Sequence, residues 1–215
     1  MKKITKVEYQ KKNKDRVNIY LDDEFAFGLD LNTMIKYSLS KNMELDDDFI
    51  SEILITDNEK KAFNYAISIL GRSPKSEKEI RDKLTEKGYE KETIDNIIHK
   101  LKINKYIDDE NYSELFIRDK INISKYGKRK IQERLYQKGI DKEIIQDKLK
   151  DISNEDEIQR AMELAEKKLR TLTKEEPLKR KMKIYNYLLN KGFEYETIKK
   201  AVSNILKSDF EDDCY

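Results

Sequence analysis

Cysteine, histidine, glycine and proline are all scarce in this chain of 215 residues: one Cys, one His, six Gly and two Pro, with no Trp at all. A single cysteine, Cys214, excludes an internal disulfide framework. A single histidine, His99, leaves no zinc site of the usual Cys/His kind and no histidine-based triad. Glycines this thinly spread cannot build a phosphate-cradling loop, and no Walker-type or dinucleotide-binding spacing occurs. No apolar run reaches the length of a membrane span and the N-terminus lacks a signal-peptide core, so the expectation is a cytoplasmic protein without membrane contact. An excess of one charge is missing too. Lys plus Arg number 45 against 43 Asp plus Glu, and a net +2 selects no class of partner by itself.

Charge as such is abundant, at 41% against 37% hydrophobic residues, and the mean hydropathy is −0.90. Such a composition borders on that of disordered chains. The apolar residues argue otherwise, because they recur at regular spacing along nearly the whole chain. With few helix breakers and much Lys, Glu, Leu and Ile, the balance favours a mainly α protein.

The first thirty residues read differently. Thr5, Val7 and Tyr9 alternate with polar residues, as do Val17, Ile19 and Leu21, and then Phe25, Phe27 and Leu29. That period predicts three half-buried strands in a small antiparallel β meander, joined at Lys11 to Asp15 and at Asp22-Asp23. Short helices are expected over Leu31 to Tyr37 and Phe49 to Leu54.

From residue 58 the period is helical, and three segments align without gaps: Leu84-Thr-Glu-Lys-Gly88-Tyr-Glu-Lys-Glu-Thr-Ile94, Leu135-Tyr-Gln-Lys-Gly139-Ile-Asp-Lys-Glu-Ile-Ile145 and Leu188-Leu-Asn-Lys-Gly192-Phe-Glu-Tyr-Glu-Thr-Ile198. Ile80, Ile131 and Ile184 stand eight residues before the glycines, on the helix face shared with the leucines. Lys followed by Gly is a helix C-terminus. The cation meets the negative end of the helix dipole, and Gly supplies a left-handed turn. Glu90, Asp141 and Glu194 then suit the start of the next helix. Ser76-Glu-Lys-Glu79 is a capping box and Asp108 a further cap. Each unit is therefore helix, helix, glycine turn, helix. The expected boundaries are a strand segment over 1–57, repeats over 58–106, 107–152 and 153–207, and an acidic tail over 208–215 that is expected to be mobile.

No constellation suits catalysis. The carboxylate pairs Asp22-Asp23, Asp46-Asp47-Asp48 and Asp108-Asp109 fall where turns and caps are expected and do not converge on one point. His99 reads as a helix flank. The basic stretch is the more telling feature: Arg118, Lys120, Lys125, Lys128, Arg129, Lys130, Arg134 and Lys138 against Asp119 and Glu133. With Ile131 and Leu135 inward, Arg129, Lys130, Gln132 and Tyr136 point outward, and Lys128 and Arg134 flank the buried face. Such a face suits a phosphate backbone or an acidic protein groove, or is simply a solvated face. A second cluster comprises Lys167, Lys168 and Arg170 with Lys179, Arg180, Lys181 and Lys183.

The segment Ala62 to Leu70, then Arg72-Ser-Pro-Lys-Ser76 and Glu79-Ile-Arg-Asp-Lys-Leu84-Thr-Glu-Lys-Gly88, resembles the first repeat of the RecX family. Tyr106-Ile-Asp-Asp109-Glu-Asn-Tyr112, Tyr126-Gly-Lys-Arg-Lys-Ile131 and Leu135-Tyr-Gln-Lys-Gly-Ile140 resemble its second. The resemblance covers roughly residues 58 to 205 and carries nothing over to the strand segment. It implies three tandem three-helix repeats in an elongated curved array. It also implies a non-enzymatic regulator of homologous recombination and DNA repair, tied to the SOS response. Such a protein binds the RecA filament and modulates, in the direction of inhibition, its ATPase, strand-exchange and co-protease activities. Some family members bind DNA themselves, so single- or double-stranded DNA is a second expected partner. No cofactor or metal is expected, and the chain is expected to be a monomer. Arg72, Lys75, Lys125, Lys128, Arg129, Lys130 and Arg134 are expected to face the filament or its DNA, and Gly88, Gly139 and Gly192 to set the turns. The rival reading of the same basic helix is a stand-alone helix-turn-helix-like DNA-binding protein, for which no dimer seam is evident.

Overall fold

A computed structural model describes residues 1–212, with side chains through Ile205. Ten helices and four short strands make up the described residues, so the protein is mainly α with a small antiparallel sheet at its N-terminus. Its contacts divide it into two units: Met1–Ser73 with Ile80–Tyr106, and Pro74–Glu79 with Ile107–Tyr215.

In the first unit, β1 (Lys2–Tyr9), β2 (Arg16–Leu21), β3 (Glu24–Asp30) and β4 (Glu44–Leu45) pair antiparallel in the order β3-β2-β1-β4. The fourth strand has no alternation to reveal it, being two residues long. β2 follows its expected face, with Val17, Ile19 and Leu21 all buried. Its neighbours do not keep strict alternation. A bulge between Ile4 and Lys6 puts Ile4 opposite Leu21 and Val7 opposite Ile19, so Ile4 enters the core in place of Thr5. A second bulge between Ile19 and Tyr20 turns Phe25 outward, where its ring meets Tyr20 edge-on at 5.8 Å. Asp22 and Asp23 both have positive φ, as a two-residue hairpin turn requires.

α1 (Leu31–Lys36) follows the sheet, and Asp30 caps it by accepting from the Asn32 N–H. The short helix expected over Phe49 to Leu54 is instead the beginning of one 24-residue helix, α2 (Asp47–Leu70), which runs through the expected boundary at residue 57. Asp46 caps it. No breaker stands between residues 47 and 70, so nothing in the chain stops the helix there. α3 (Glu77–Glu86) and α4 (Lys91–Ile103) complete the first set of three helices, burying Ile80, Leu84, Ile94, Ile97, Ile98 and Leu101 along with Ala62 and Ala66 of α2.

In the second unit, α5 (Asp109–Asn122), α6 (Lys128–Gln137) and α7 (Lys142–Lys150) enclose a core of Tyr112, Ile117, Ile131, Leu135, Ile140, Ile145 and Leu149. α8 (Asn154–Leu169), α9 (Pro177–Lys191) and α10 (Tyr195–Asp212) enclose another, built on Ala161, Leu164, Ile184, Leu188, Phe193 and Ile198. The segment expected as an acidic tail is partly the end of α10, which continues to Asp212; Asp213, Cys214 and Tyr215 lie outside the described residues.

α3, α6 and α9 end alike. Gly88, Gly139 and Gly192 have φ of 88°, 77° and 88°. The N–H of the residue after each glycine donates to the carbonyl of Leu84, Leu135 or Leu188, and each glycine N–H donates to the carbonyl three residues back. These are Schellman turns. The residues that follow, Tyr89, Ile140 and Phe193, fold back on the helix just ended, and Phe193 is fully buried.

Candidate functional site

The glycine turns at Gly139 and Gly192 are each occupied by the start of another helix. At Gly139 the occupant is the start of α3. Ser76 Oγ donates to the Lys138 carbonyl at 2.7 Å and Lys78 Nζ to the Gln137 carbonyl at 3.1 Å. At Gly192 it is the start of α6. The Gly127 N–H donates to the Lys191 carbonyl and the Arg129 N–H to the Gly192 carbonyl, at 3.0 and 3.2 Å. The Arg129 guanidinium donates to the Leu189 carbonyl at 3.0 Å and Lys130 Nζ to the Asn190 carbonyl at 2.6 Å. In both cases cations from a helix start close the electronegative last turn of another helix, where the Schellman bonds leave the two carbonyls before the glycine to be satisfied from outside.

Each occupying helix start is in turn held by an acid. Asp109 accepts from the Glu77 N–H at 2.9 Å, and Glu157 accepts from the Lys128 N–H at 2.7 Å. The first amide of α3 and of α6 is thus satisfied by a carboxylate distant in sequence, and α6 has no side-chain cap of its own. Ser76 and Glu79 form the reciprocal capping box, at 3.2 and 3.3 Å. Burial pushes the Glu79 carboxyl up, but Lys138 Nζ at 2.5 Å, the Ser76 N–H and the Tyr112 hydroxyl outweigh it and hold the group below its ordinary range. Burial and the neighbouring Glu79 push the Tyr112 hydroxyl in the opposite direction.

Lys128, Arg129 and Lys130 therefore do not stand free, as outward placement on α6 suggests they should. Their donors are engaged within the chain, and Lys130 also lies 4.9 Å above the Tyr126 ring. Arg134 is exposed and among the described residues reaches only Gln137. Lys125 is half-buried, with Glu163 at 3.8 Å. Arg72 is exposed, Lys75 is half-buried, and neither side chain has a bonded partner among the described residues. Arg72 belongs to the first unit and the other six to the second. In the second basic cluster, Arg180 folds back on the Glu175 and Thr173 carbonyls and Lys183 pairs with Glu175.

The carboxylate pairs serve the backbone. Asp46 and Asp108 are helix caps, and Asp109 holds the start of α3. No cluster of metal-ligating side chains occurs among the described residues. No described helix is long and apolar enough to cross a membrane.

Sequence reasoning missed three buried charges. Asp57, 1% exposed, accepts from the Asp30 N–H at 2.7 Å and pairs with Lys61 at 2.8 Å and Arg16 at 3.6 Å. Glu157 and Arg160 are buried side by side on α8, and Nε and Nη2 of Arg160 have no partner among the described residues. Burial lowers the Arg160 pKa, with Glu157 opposing the shift. A readable signal exists for two of them. Asp57 sits on the apolar stripe four residues after Ile53, and Glu157 four residues before Ala161.

Four family models match the chain in order: Regulatory protein RecX N-terminal domain over residues 2–46, and the RecX first, second and third three-helix domains over 62–101, 108–149 and 155–202. The first of these extends the likeness to the strand segment, where the repeat motifs carry none. Similar curated proteins include Regulatory protein RecX of Clostridium perfringens strain SM101, 39% identical over 98% of this chain and 99% of its own. The protein of that name from Bacillus subtilis strain 168 is 34% identical over 97% and 79%. Among solved structures, a crystal structure of regulatory protein RecX matches with a TM-score of 0.75 and 34% identity, covering 93% of this chain and 99% of that one. RecX from Lactobacillus salivarius matches with a TM-score of 0.65 and 31% identity, over 69% and 97%.

Proposed function

The chain belongs to the RecX family of regulatory proteins, and we propose that it regulates homologous recombination and DNA repair by binding the RecA filament and lowering its ATPase, strand-exchange and co-protease activities. The observation that carries this reading is the succession of four RecX domains in order along the chain, with near-complete coverage of a relative named as a regulatory protein. The protein acts by occupancy and has no chemistry of its own. It works in the cytoplasm as a monomer.

Arg72, Lys75, Lys125 and Arg134 are the cations assigned to the filament or its bound DNA, because none of them closes a helix end among the described residues. They steer the encounter, and apolar contacts at helix rims add affinity. Lys128, Arg129 and Lys130 serve instead to fix α6 within the second unit.

Engagement of the α6 start also weighs against a stand-alone helix-turn-helix reader. Such a reader turns the first residues of its recognition helix to base edges. Here those residues donate to Leu189, Asn190 and Glu157.

The test is RecA ATP hydrolysis on single-stranded DNA with the protein added. Hydrolysis falls with added protein, and Arg72→Glu with Arg134→Glu weakens the effect. Unchanged hydrolysis at saturating protein would remove the proposal.

A further inference from the structure

Gly88 closes the third turn of the same design, yet it stands empty. A Cβ built at Gly139 would strike the Lys78 side chain, with Cβ at 2.6 Å and Cδ at 2.7 Å, and one built at Gly192 would strike Lys130. A Cβ at Gly88 meets nothing within 4 Å. Everything else about the turn is retained. Its φ is 88°, its Schellman bonds are made, and Lys-Gly follows Leu84 at the same interval. At the two occupied turns the carbonyls one and two residues before the glycine accept from the incoming helix start. Their counterparts, the Glu86 and Lys87 carbonyls, accept no bond among the described residues.

We infer that the Gly88 turn is a docking site for the start of a helix in a partner protein, one with a small N-cap residue and Lys or Arg at its second or third helical position. The two occupied turns define that chemistry. Ser76 and Lys78 fill one, and Gly127, Arg129 and Lys130 fill the other. Charge reinforces the match. Glu86 stands where the occupied turns have Gln137 and Asn190, so the vacant turn favours a cation more strongly than either. Lys83 already pairs with Glu86 at 2.6 Å, but both side chains are at least half exposed and the pair yields readily to a competing cation.

The occupant is not a second copy of this chain. Its two helix starts of the required kind, those of α3 and α6, are already docked. The corresponding place in α9, twelve residues before Gly192, is Arg180 inside the helix, because α9 begins earlier, at Pro177. Asp57, the acid that precedes Gly88 by an interval close to that separating Asp109 from Gly139, is taken by the Asp30 N–H and Arg16. The vacant turn therefore offers carbonyls and Glu86 alone. Nothing in this inference depends on which polymer the protein binds.

The test uses the full-length chain, labelled with ¹⁵N, and a stapled helical peptide copying residues 126–136 as the probe. Saturable shifts of the Glu86, Lys87 and Gly88 amides are expected, with the Gly139 and Gly192 amides unmoved. Glu86→Lys in the protein, or Arg129→Glu with Lys130→Glu in the peptide, should weaken binding by about fivefold or more. Still amides at Glu86 to Gly88 in excess peptide would overturn the inference, as would shifts indifferent to both reversals. Movement of the same amides with protein concentration alone would assign the turn to a second copy, against the partner stated here. Because no filament enters this assay, its failure leaves the recombinase reading intact, and failure of that reading leaves this one.

Discussion

Lys130 Nζ donates to the Asn190 carbonyl at 2.6 Å, across sixty residues of sequence, and so the most basic helix start of the protein closes the end of another helix. Arg129 does the same at Leu189. Charge-assisted bonds to helix-terminal carbonyls are worth more than solvated surface charges. Arg129→Ala with Lys130→Ala should therefore lower the unfolding free energy by about 1–2 kcal/mol, whereas Arg134→Ala should change it by less than about 0.5 kcal/mol. Urea unfolding of the three proteins measures both. Equal effects would place Arg129 and Lys130 among the solvated charges.

The three glycines form a graded series. All have positive φ, so a side chain costs each about 1 kcal/mol. Gly88→Ala should cost that and little more, since nothing lies near its Cβ. Gly139→Ala also strikes Lys78 at its Cβ, which the backbone fixes, and should cost about 2 kcal/mol. Gly192→Ala collides with backbone atoms of Lys130 and should cost about 3 kcal/mol or more. Thermal unfolding should rank the variants in that order, and a Gly88→Ala as damaging as Gly192→Ala would refute the account of the turns.

Much of this was legible in local sequence. The Lys-Gly repeats mark the turns because only the chain itself is needed to make a Schellman motif. The alternation of Val17, Ile19 and Leu21 marks β2, and Ser76 with Glu79 marks a capping box. What escaped depends on partners distant in sequence or on irregularity. Bulges beside Ile4 and Tyr20 break the period of two that identifies a strand face. α2 runs through residue 57 because no breaker stops it there, and a missing stop is a weaker mark than a cap or a glycine turn. Outward direction on α6 was readable from helical periodicity. That another helix end would be waiting for Arg129 and Lys130 was not.

Glu79 gives the α3 start a pH dependence. Its carboxyl group is held below its ordinary value of 4.5, with Lys138, the Ser76 N–H and the Tyr112 hydroxyl overcoming the effect of burial. A carboxyl whose pKa is lower folded than unfolded contributes its stability in full above the unfolded pKa, and loses it as pH falls through the folded one. Stability should be flat from neutral pH to about 5 and decline below that. Glu79→Gln should be less stable at neutral pH and show a shallower acid decline. Parallel curves for the two proteins would contradict this.

Asp57 ties the N-terminal sheet to α2 by accepting from the Asp30 N–H while pairing with Lys61 and Arg16. Removing one partner of a buried charged network is costly, so Asp57→Ala should destabilise the first unit by about 3 kcal/mol. Limited proteolysis should then cut residues 1–46 faster than in the unaltered protein. An unchanged cleavage rate would deny Asp57 that role.

Co-sedimentation of the full chain with RecA filaments, assembled on single-stranded DNA with a slowly hydrolysed ATP analogue, decides whether the protein binds the filament. The protein should pellet with the filaments and stay in the supernatant with the same DNA alone at physiological salt, where a few phosphate contacts bind weakly. Recovery in the supernatant with filaments present, or equal pelleting with bare DNA, would contradict it.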